Sequence, residues 1–187
     1  MTVFVTRHGR TDQNTRHLIS GWSEWTLTEE GIAQAKALAA RLKAEEERNQ
    51  IRHILVSPIQ RARVTAGFIE EALGLKAVVE PRLRELNFGS EAETWNTRDP
   101  RVPYLRLNPF LRFPQGESLV DAASRLYRVV DELPERFHGD NVLLVCHGMA
   151  MALIDSYFHE YSNEDFLKVM PDNCELWHYE LEKGRWN

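Results

Sequence analysis

The sequence has few cysteines and no long hydrophobic run. Its only cysteines are Cys146 and Cys174, each in an apolar stretch of the 187 residues. Such a pair cannot supply the disulfide framework of a small secreted protein and predicts two buried, reduced thiols. No apolar run approaches the roughly 20 residues that span a bilayer, and Arg7 precedes any apolar region of about 7 to 15 residues that would indicate a signal peptide. These absences predict a soluble, cytoplasmic protein without a membrane partner.

The sequence also lacks an excess of positive charge. It has 23 Lys and Arg residues against 28 Asp and Glu residues, for a formal net charge of -5. Nucleic acids and anionic lipid surfaces require clustered positive charge, so this balance argues against both as partners. The negative net charge is still compatible with a small basic pocket that binds a small anion. Because there is no internal repeat or Gly/Ser-rich linker, we predict a single domain over residues 1–187, of undetermined oligomeric state.

Short apolar runs alternate with amphipathic segments along the chain. Runs at 3–5, 53–56, 76–79, 142–146 and 174–181 predict strands. Thr28, Ser57-Pro58 and the Ser118/Asp121 pair are typical of helix starts, with Ser57 as the N-cap and Pro58 at the first helical position. A further helix is predicted over Gly148–Phe158. This alternation predicts an α/β fold, a three-layer sandwich with a mostly parallel central sheet flanked by helices.

Residues 87–117 interrupt the alternation. Prolines at positions 100, 103, 109 and 114 break any regular element there, and long ordered loops in compact domains are usually functional. We therefore predict an irregular substrate lid over about 87–117. The segment contains Arg98, Arg101, Arg106 and Arg112. One hypothesis is that one or two of them contact a second anionic group of the substrate, and the alternative is a solvated basic loop.

Basic side chains follow three of the predicted strands. Arg7-His8-Gly9 follows the first, Ser57-Pro58 with Arg61 the second, and His147-Gly148 the run that ends at residue 146. Ligands of parallel sheets bind beyond the carboxyl ends of the strands, so we expect these groups to meet there. Histidines and a carboxylate can bind zinc, but adjacent arginines would repel a divalent cation and suit a phosphoryl group. A neutral histidine in that setting predicts attack on phosphorus without metal or cofactor.

The order of the motifs is more specific than any one of them. Arg7-His8-Gly9 is followed by Thr11, Asn14 and Gly21-Trp22, and then by further blocks downstream. These blocks are Leu27-Thr28, Gly31, Gln34-Ala35, Ser57-Pro58-Ile59-Gln60-Arg61-Ala62, Thr65-Ala66, Leu83-Arg84-Glu85, Phe88-Gly89, Pro114, Gly116-Glu117-Ser118 and His147-Gly148. In this order they resemble the histidine phosphatase superfamily, phosphoglycerate mutase-like branch, over nearly the whole chain.

The resemblance implies roles for particular residues. It implies that His8 is the phosphorylated nucleophile and Glu85 the proton donor, with Arg7, Arg61 and His147 as the phosphate pocket. Asn14 and the Gly148 backbone are implied as further phosphate ligands, and Gly21 as a residue that lines the substrate entrance. A carboxyl group in the position of Glu85 has a physical use, because the leaving alkoxide needs a proton and the hydrolytic water must lose one.

The resemblance leaves three functions open. The favoured one is a phosphatase that hydrolyses a small phosphate monoester through phosphohistidine on His8. A phosphoglycerate mutase-type phosphotransferase is the first alternative, disfavoured because the mutases of this family are longer. A non-catalytic phosphate-binding regulatory module is the alternative from another class. Ser90-Glu91-Ala92 stands where many members have Trp-Glu-Gly, so the sequence does not identify the substrate.

Overall fold

A single sheet forms the centre of the molecule. The computed structural model describes residues 1–181. The strands are β1 (Thr2–Arg7), β2 (Ile51–Val56), β3 (Ala77–Val79), β4 (Asn141–Cys146) and β5 (Leu176–Glu180), in the sheet order β3-β2-β4-β1-β5. β5 pairs antiparallel with β1, whereas the other neighbours are parallel. The predicted mostly parallel sheet is confirmed.

Helices cover both faces of this sheet. The helices that residues 1–181 form are α1 (Asp12–Thr15), α2 (Glu29–Ala44), α3 (Glu46–Asn49), α4 (Gln60–Leu73), α5 (Gly89–Ala92), α6 (Arg101–Leu107), α7 (Leu119–Arg136), α8 (Gly148–Phe158) and α9 (Asn163–Phe166), with a 3-10 turn at Pro81–Leu83. Alternate residues of a strand face opposite sides. Leu144 accordingly packs in one core cluster with residues of α7 and α8, and Leu143 in a second with residues of α2 and α4. The predicted three-layer sandwich is confirmed.

Two of the predicted helix starts are confirmed, and one is wrong. Thr28 accepts a bond from the Gly31 amide at 3.0 Å, and Ser118 forms a capping box with Asp121. Ser57 does not cap α4, which begins at Gln60. The Ser57 amide instead donates to a carbonyl of β4 at 3.0 Å, so the chain is still extended at this residue.

The cysteines only partly follow the prediction. Both thiols are free, and Cys146 is fully buried, but Cys174 is only half-buried. Cys174 has a positive φ of 58°, which breaks the extended conformation before β5. The last predicted strand therefore begins at Leu176 and not at residue 174. Residues 182–187, the end of the predicted single domain, lie outside the described residues.

The 87–117 segment contains the short helices α5 and α6, with Pro103 inside α6, and its ends are tied together. The Glu117 amide donates to the Asn87 carbonyl at 2.8 Å, and the Asn87 amide donates to Glu117 Oε2 at 2.9 Å. Gly89 has a φ of 73°, and a Cβ there would lie 1.9 Å from the carbonyl oxygen of Pro114. The segment thus closes on a backbone contact that only glycine permits. In the described part of the chain, no helix has both the length and the hydropathy for crossing a bilayer.

Candidate active site

The predicted basic groups meet at one edge of the sheet. Arg7 ends β1 and His8 follows it, Arg61 lies in the first turn of α4, and Glu85 follows the 3-10 turn. These four side chains line one cavity of about 140 Å³. The other residues that line it are Asn14, Leu18, Ile19, Ser20, Phe88, Thr97, Val102, Arg106, Gly148, Met149 and Met170. The structure therefore brings together most of the site residues named from the sequence.

The His8 imidazole is buried, and its hydrogen bonds define its tautomer. Nδ1 lies 2.7 Å from the Gly9 carbonyl oxygen, which can only accept, so Nδ1 carries the proton. Arg61 Nε, which can only donate, bonds to His8 Nε2 at 3.1 Å. Burial and the positive charges of Arg61 and Arg7 lower the pKa of His8 well below its ordinary value. His8 is thus neutral, with the lone pair on Nε2.

Arg61 is fixed by a loop that precedes α2. Its Nη2 donates to the Gly21 carbonyl at 2.7 Å, and its Nη1 to the Ser23 carbonyl at 2.8 Å. The loop is held in turn by Glu93, whose Oε1 accepts from the amides of Trp22 at 2.7 Å and Ser23 at 3.3 Å. Burial lowers the pKa of Arg61 to about 10. Gly21 is not among the described residues that line the cavity, and its carbonyl is turned to Arg61, so its place at the substrate entrance stays a prediction.

His147 is fully buried next to His8 and is not among the described residues that line the cavity. The two rings meet edge to face, with 5.2 Å between their centroids. His147 Nε2 bonds to Ser57 Oγ at 2.7 Å, and its buried Nδ1 has no hydrogen-bond partner among residues 1–181. Burial, with the charge of Arg61, lowers the pKa of His147 well below its ordinary value. His147 is a neutral ring with one unused nitrogen next to the candidate nucleophile.

The Glu85 carboxylate is seated on the first turn of α8. Its Oε1 accepts from the amides of Leu86 at 2.8 Å and Ala150 at 2.9 Å, and its Oε2 from the Met149 amide at 3.1 Å. The Glu85 carbonyl oxygen also accepts from Trp22 Nε1 at 2.7 Å. Three amides fix the carboxylate and the indole fixes its backbone, so the side chain has a defined position at the cavity.

Arg7 and Asn14 complete the polar wall. Arg7 Nη1 donates to the Pro171 carbonyl at 2.7 Å, while its buried Nε has no partner in the described part of the chain. Burial lowers the pKa of Arg7. Asn14 Oδ1 accepts from the Thr11 amide at 3.1 Å and from Asn173 Nδ2 at 3.3 Å. The unpartnered Arg7 Nε is a donor available to an anion.

Of the four arginines of the 87–117 segment, Arg106 alone lines the cavity among the described residues. Arg101 pairs with Asp99 at 2.8 Å, and Arg112 pairs with Asp121 at 3.0 Å. Among these four arginines, Arg106 is therefore the candidate for contact with a second anionic group of the substrate.

Sequence reasoning missed several residues that hold the site. Ser57 was interpreted as a helix cap, and Glu93 and Asn173 were not singled out. Asn173 Nδ2 donates to the His8 carbonyl at 2.9 Å. Ser57 lies next to the predicted strand end, which is a usable signal, whereas Glu93 and Asn173 lie far along the chain from their partners. Within residues 1–181, no group of three or more His, Cys, Asp or Glu side chains is arranged to hold a metal ion.

Comparisons with known proteins agree with this geometry. Residues 3–187 match the family model of the histidine phosphatase superfamily (branch 1). A Yersinia pestis (strain Pestoides F) protein named "Probable phosphoglycerate mutase GpmB" is 33% identical over 198 residues, covering 100% of this chain and 87% of that protein.

Solved structures show the same fold. Mycobacterial glucosyl-3-phosphoglycerate phosphatase superposes with a TM-score of 0.81 at 26% identity, covering 95% of this chain and 88% of that one. Phosphoserine phosphatase from Entamoeba histolytica has a TM-score of 0.83 at 20% identity, covering 98% and 92%, and supports the fold alone. The family match over almost the entire sequence shows that the chain belongs to the histidine phosphatase superfamily, branch 1.

Proposed function

We propose that the protein is a metal-independent phosphatase that hydrolyses a small phosphate monoester through a phosphohistidine intermediate on His8. The observation that carries the proposal is a neutral imidazole whose Nε2 lone pair adjoins buried donors that have no acceptor. These donors are Arg7 Nε and, if protonated, His147 Nδ1. A buried hydrogen-bond donor without an acceptor lowers the stability of the protein. The oxygens of a phosphoryl group would supply acceptors for both of these donors.

The first half-reaction transfers the phosphoryl group to the enzyme. Arg61 Nε–H leaves His8 Nε2 for a phosphoryl oxygen. The freed lone pair of Nε2 then attacks phosphorus, and the bond from phosphorus to the ester oxygen breaks. Arg7 and Arg61 stabilise the charge on the transferring group, with His147 as a further donor. Protonated Glu85 gives its proton to the departing alkoxide, which leaves as an alcohol.

The second half-reaction restores the enzyme. Water attacks the phosphorus of phosphohistidine while the Glu85 carboxylate takes a proton from that water. The bond between phosphorus and Nε2 breaks, inorganic phosphate is formed, and His8 regains its lone pair. In this scheme Asn14 and the Gly148 backbone contact phosphoryl oxygens, because both line the cavity with His8.

A phosphoglycerate mutase-type reaction is the second candidate. It is supported by the relative whose printed name is a mutase and of which this chain spans 87%. Because the two chains differ little in length, length separates the two reactions less sharply than the sequence-based expectation assumed. The fate of the phosphoryl group separates them, since a mutase returns it to an organic acceptor and a phosphatase gives it to water.

The setting that we propose is a single domain in the cytoplasm, with a small phosphorylated metabolite as substrate and the 87–117 segment as its lid. The negative net charge supports a small-molecule substrate over a nucleic acid. Four residues of the segment, Phe88, Thr97, Val102 and Arg106, line the cavity and support its role as a lid.

The test is inorganic phosphate release from a panel of small monoesters in the presence of a chelator. The native protein is compared with His8→Ala and with His178→Ala, a matched control because His178 is exposed on β5. We expect release by the native protein and the control, and a loss of at least about 10³-fold in His8→Ala. Equal release by His8→Ala would refute the assignment of the nucleophile.

Two other outcomes would replace the proposal. Interconversion of phosphoglycerates faster than phosphate release would assign the mutase reaction. Tight binding of inorganic phosphate by a folded protein that releases none from any monoester would assign the non-catalytic module.

A further inference from the structure

Arg106 occupies an unusual position for an arginine of an irregular segment. It lies near the end of α6 and lines the same cavity as His8, Arg7 and Arg61. It also lines the adjacent groove between the 87–117 segment and α7 to α9. Arg106 therefore borders both the reaction cavity and this groove.

The positive charge of Arg106 has no carboxylate partner among residues 1–181. Its Nη2 donates to the Phe166 carbonyl at 3.2 Å, and its guanidinium carbon lies 5.8 Å from the centre of the Phe166 ring. Its buried Nε has no hydrogen-bond partner in the same residues. Burial lowers the pKa of Arg106, and the more distant Glu85 charge opposes that effect.

The neighbouring arginines provide the contrast. Arg101 and Arg112 are exposed, and each forms an ion pair with an aspartate. A charged group that is partly removed from water without an opposite charge loses hydration free energy, and an anionic ligand would supply the missing charge. Arg98 forms no ion pair among the described residues either, but it is exposed and outside the cavity lining, whereas Arg106 lines the reaction cavity.

The charge balance of the cavity indicates how many anionic groups it accepts. Its lining contains Arg7, Arg61 and Arg106 as cations and Glu85 as the one carboxylate. In the proposed reaction Arg7 and Arg61 hold the phosphoryl group, which leaves the charge of Arg106 for a further anionic group.

The size of the cavity restricts what carries that group. At about 140 Å³ it is smaller than the roughly 300 to 1,000 Å³ of pockets for drug-sized ligands. A second phosphoryl group with its own cradle of donors needs more space and more cations than one arginine offers. A carboxylate is smaller, is singly charged and matches the fork of a guanidinium.

We propose that Arg106 forms a carboxylate subsite, so that the substrate is a short phosphate monoester that also carries a carboxylate. The inference rests on the proposed phosphatase function for its kinetic readout. Arg106 acts here as a specificity-determining residue. It contacts the part of the substrate that does not react and leaves the phosphoryl transfer at His8 to the other groups.

The experiment compares substrates that differ in the carboxylate. The probes are 3-phosphoglycerate against glycerol 3-phosphate, and O-phosphoserine against O-phosphoethanolamine. The variants are Arg106→Gln and the charge-retaining Arg106→Lys, with Arg98→Gln as the matched control because Arg98 is exposed and outside the cavity lining. Thermal unfolding of each variant establishes that it is folded.

We expect the native protein to favour the carboxylated member of each pair. Arg106→Gln should raise the KM for that member by about 10- to 100-fold, since a hydrogen bond to a charged group is lost. The KM for the uncarboxylated member should change by less than about threefold. Arg106→Lys should retain part of the preference, and Arg98→Gln should retain all of it.

Two kinetic results would overturn the proposal: equal losses with both members of a pair in Arg106→Gln, or no preference in the native protein. A preference for bisphosphates over carboxylated esters would overturn the carboxylate assignment. Binding of the same probes to His8→Ala, with and without Arg106→Gln, is measured by calorimetry and does not need turnover. A carboxylate preference in binding with no hydrolysis by the native protein would refute the proposed function and leave the Arg106 subsite standing.

Discussion

Glu80 anchors the turn that leads to Glu85, and its replacement by glutamine tests how firmly that turn is held. Glu80 follows β3 and caps the 3-10 turn at Pro81–Leu83. Its carboxylate accepts from Arg82 Nε at 2.9 Å, Arg82 Nη2 at 3.0 Å and Arg136 Nη1 at 2.9 Å. The hydrogen bonds from Arg82 and Arg136 lower the pKa of this nearly buried carboxyl to about 2. Glu80→Gln removes the charge with little change in shape.

The lowered pKa sets the size of the expected effect. Against the ordinary value of 4.5, a pKa of about 2 corresponds to about 3 kcal/mol of stabilisation. The side chains of Arg82 and Arg136 are 31% and 35% exposed, so solvent screening reduces this to about 2 kcal/mol. For a domain of this size, that loss lowers the melting temperature by about 4 to 8 °C.

The effect should depend on pH with a definite sign. A carboxyl whose pKa is lower in the folded state stabilises the protein fully above the unfolded pKa of about 4.5. That contribution is lost as the pH falls from there towards about 2. The difference between the native protein and Glu80→Gln should therefore be largest at pH 7, smaller at pH 4 and roughly 40% of its full size at pH 3.

The assay is urea unfolding of both proteins at pH 7, 4 and 3. Glu132→Gln is the matched control, because Glu132 also pairs with Arg82 but is half exposed. We expect the control to lose less than about 1 kcal/mol of unfolding free energy at pH 7. Equal losses in Glu80→Gln and Glu132→Gln, or a Glu80→Gln loss that stays constant down to pH 3, would refute the reasoning.

Substitutions at Glu93, Gly89 and Ser57, two of them with a comparison variant, test contacts of the site and of the 87–117 segment. Glu93→Ala should lower kcat/KM by about 10- to 100-fold by releasing the loop that fixes Arg61, while Glu93→Gln, which keeps an acceptor oxygen, should recover most of the activity. Gly89→Ala should cost about 3 kcal/mol of unfolding free energy, because its Cβ would lie 1.9 Å from a backbone oxygen. Gly139→Ala, with positive φ but nothing within 4 Å, should cost about 1 kcal/mol. Ser57→Ala should lower stability by about 1 to 3 kcal/mol, since it leaves a buried ring nitrogen without a partner; an unchanged urea midpoint would contradict that.

Local signals predicted much of the fold. The helix starts at Thr28 and Ser118 and the helix Gly148–Phe158 were read from capping residues and periodicity, and the structure has them there. Those signals act within one turn of the chain. The prediction that Ser57 caps a helix is wrong because a carbonyl of β4, about 90 residues away, sets the conformation of Ser57, and its neighbours in the sequence do not.

The residues of the candidate site also fall into two groups, those that the sequence predicted and those that it did not. The convergence of His8 and Arg61 followed from the rule that strands of one parallel sheet share an edge. Glu93 and Arg106 did not follow from it, because each acts through packing of an irregular segment with no periodic pattern. The four arginines of that segment are equivalent in the sequence. Tertiary contacts alone distinguish Arg106, which donates to a backbone carbonyl, from Arg101 and Arg112, which pair with aspartates.

The position of β1 in the sheet has a consequence for synthesis of the protein. This strand leads to His8, yet its neighbours are β4 and β5, with Val3 opposite Val142 and Thr2 opposite Glu180. β1 leaves the ribosome before both of these neighbours and waits for them on the order of ten seconds at ordinary elongation rates. Contacts of such long sequence separation also slow folding. A nascent chain should therefore hold its candidate nucleophile outside any finished site until β4 has emerged from the ribosome.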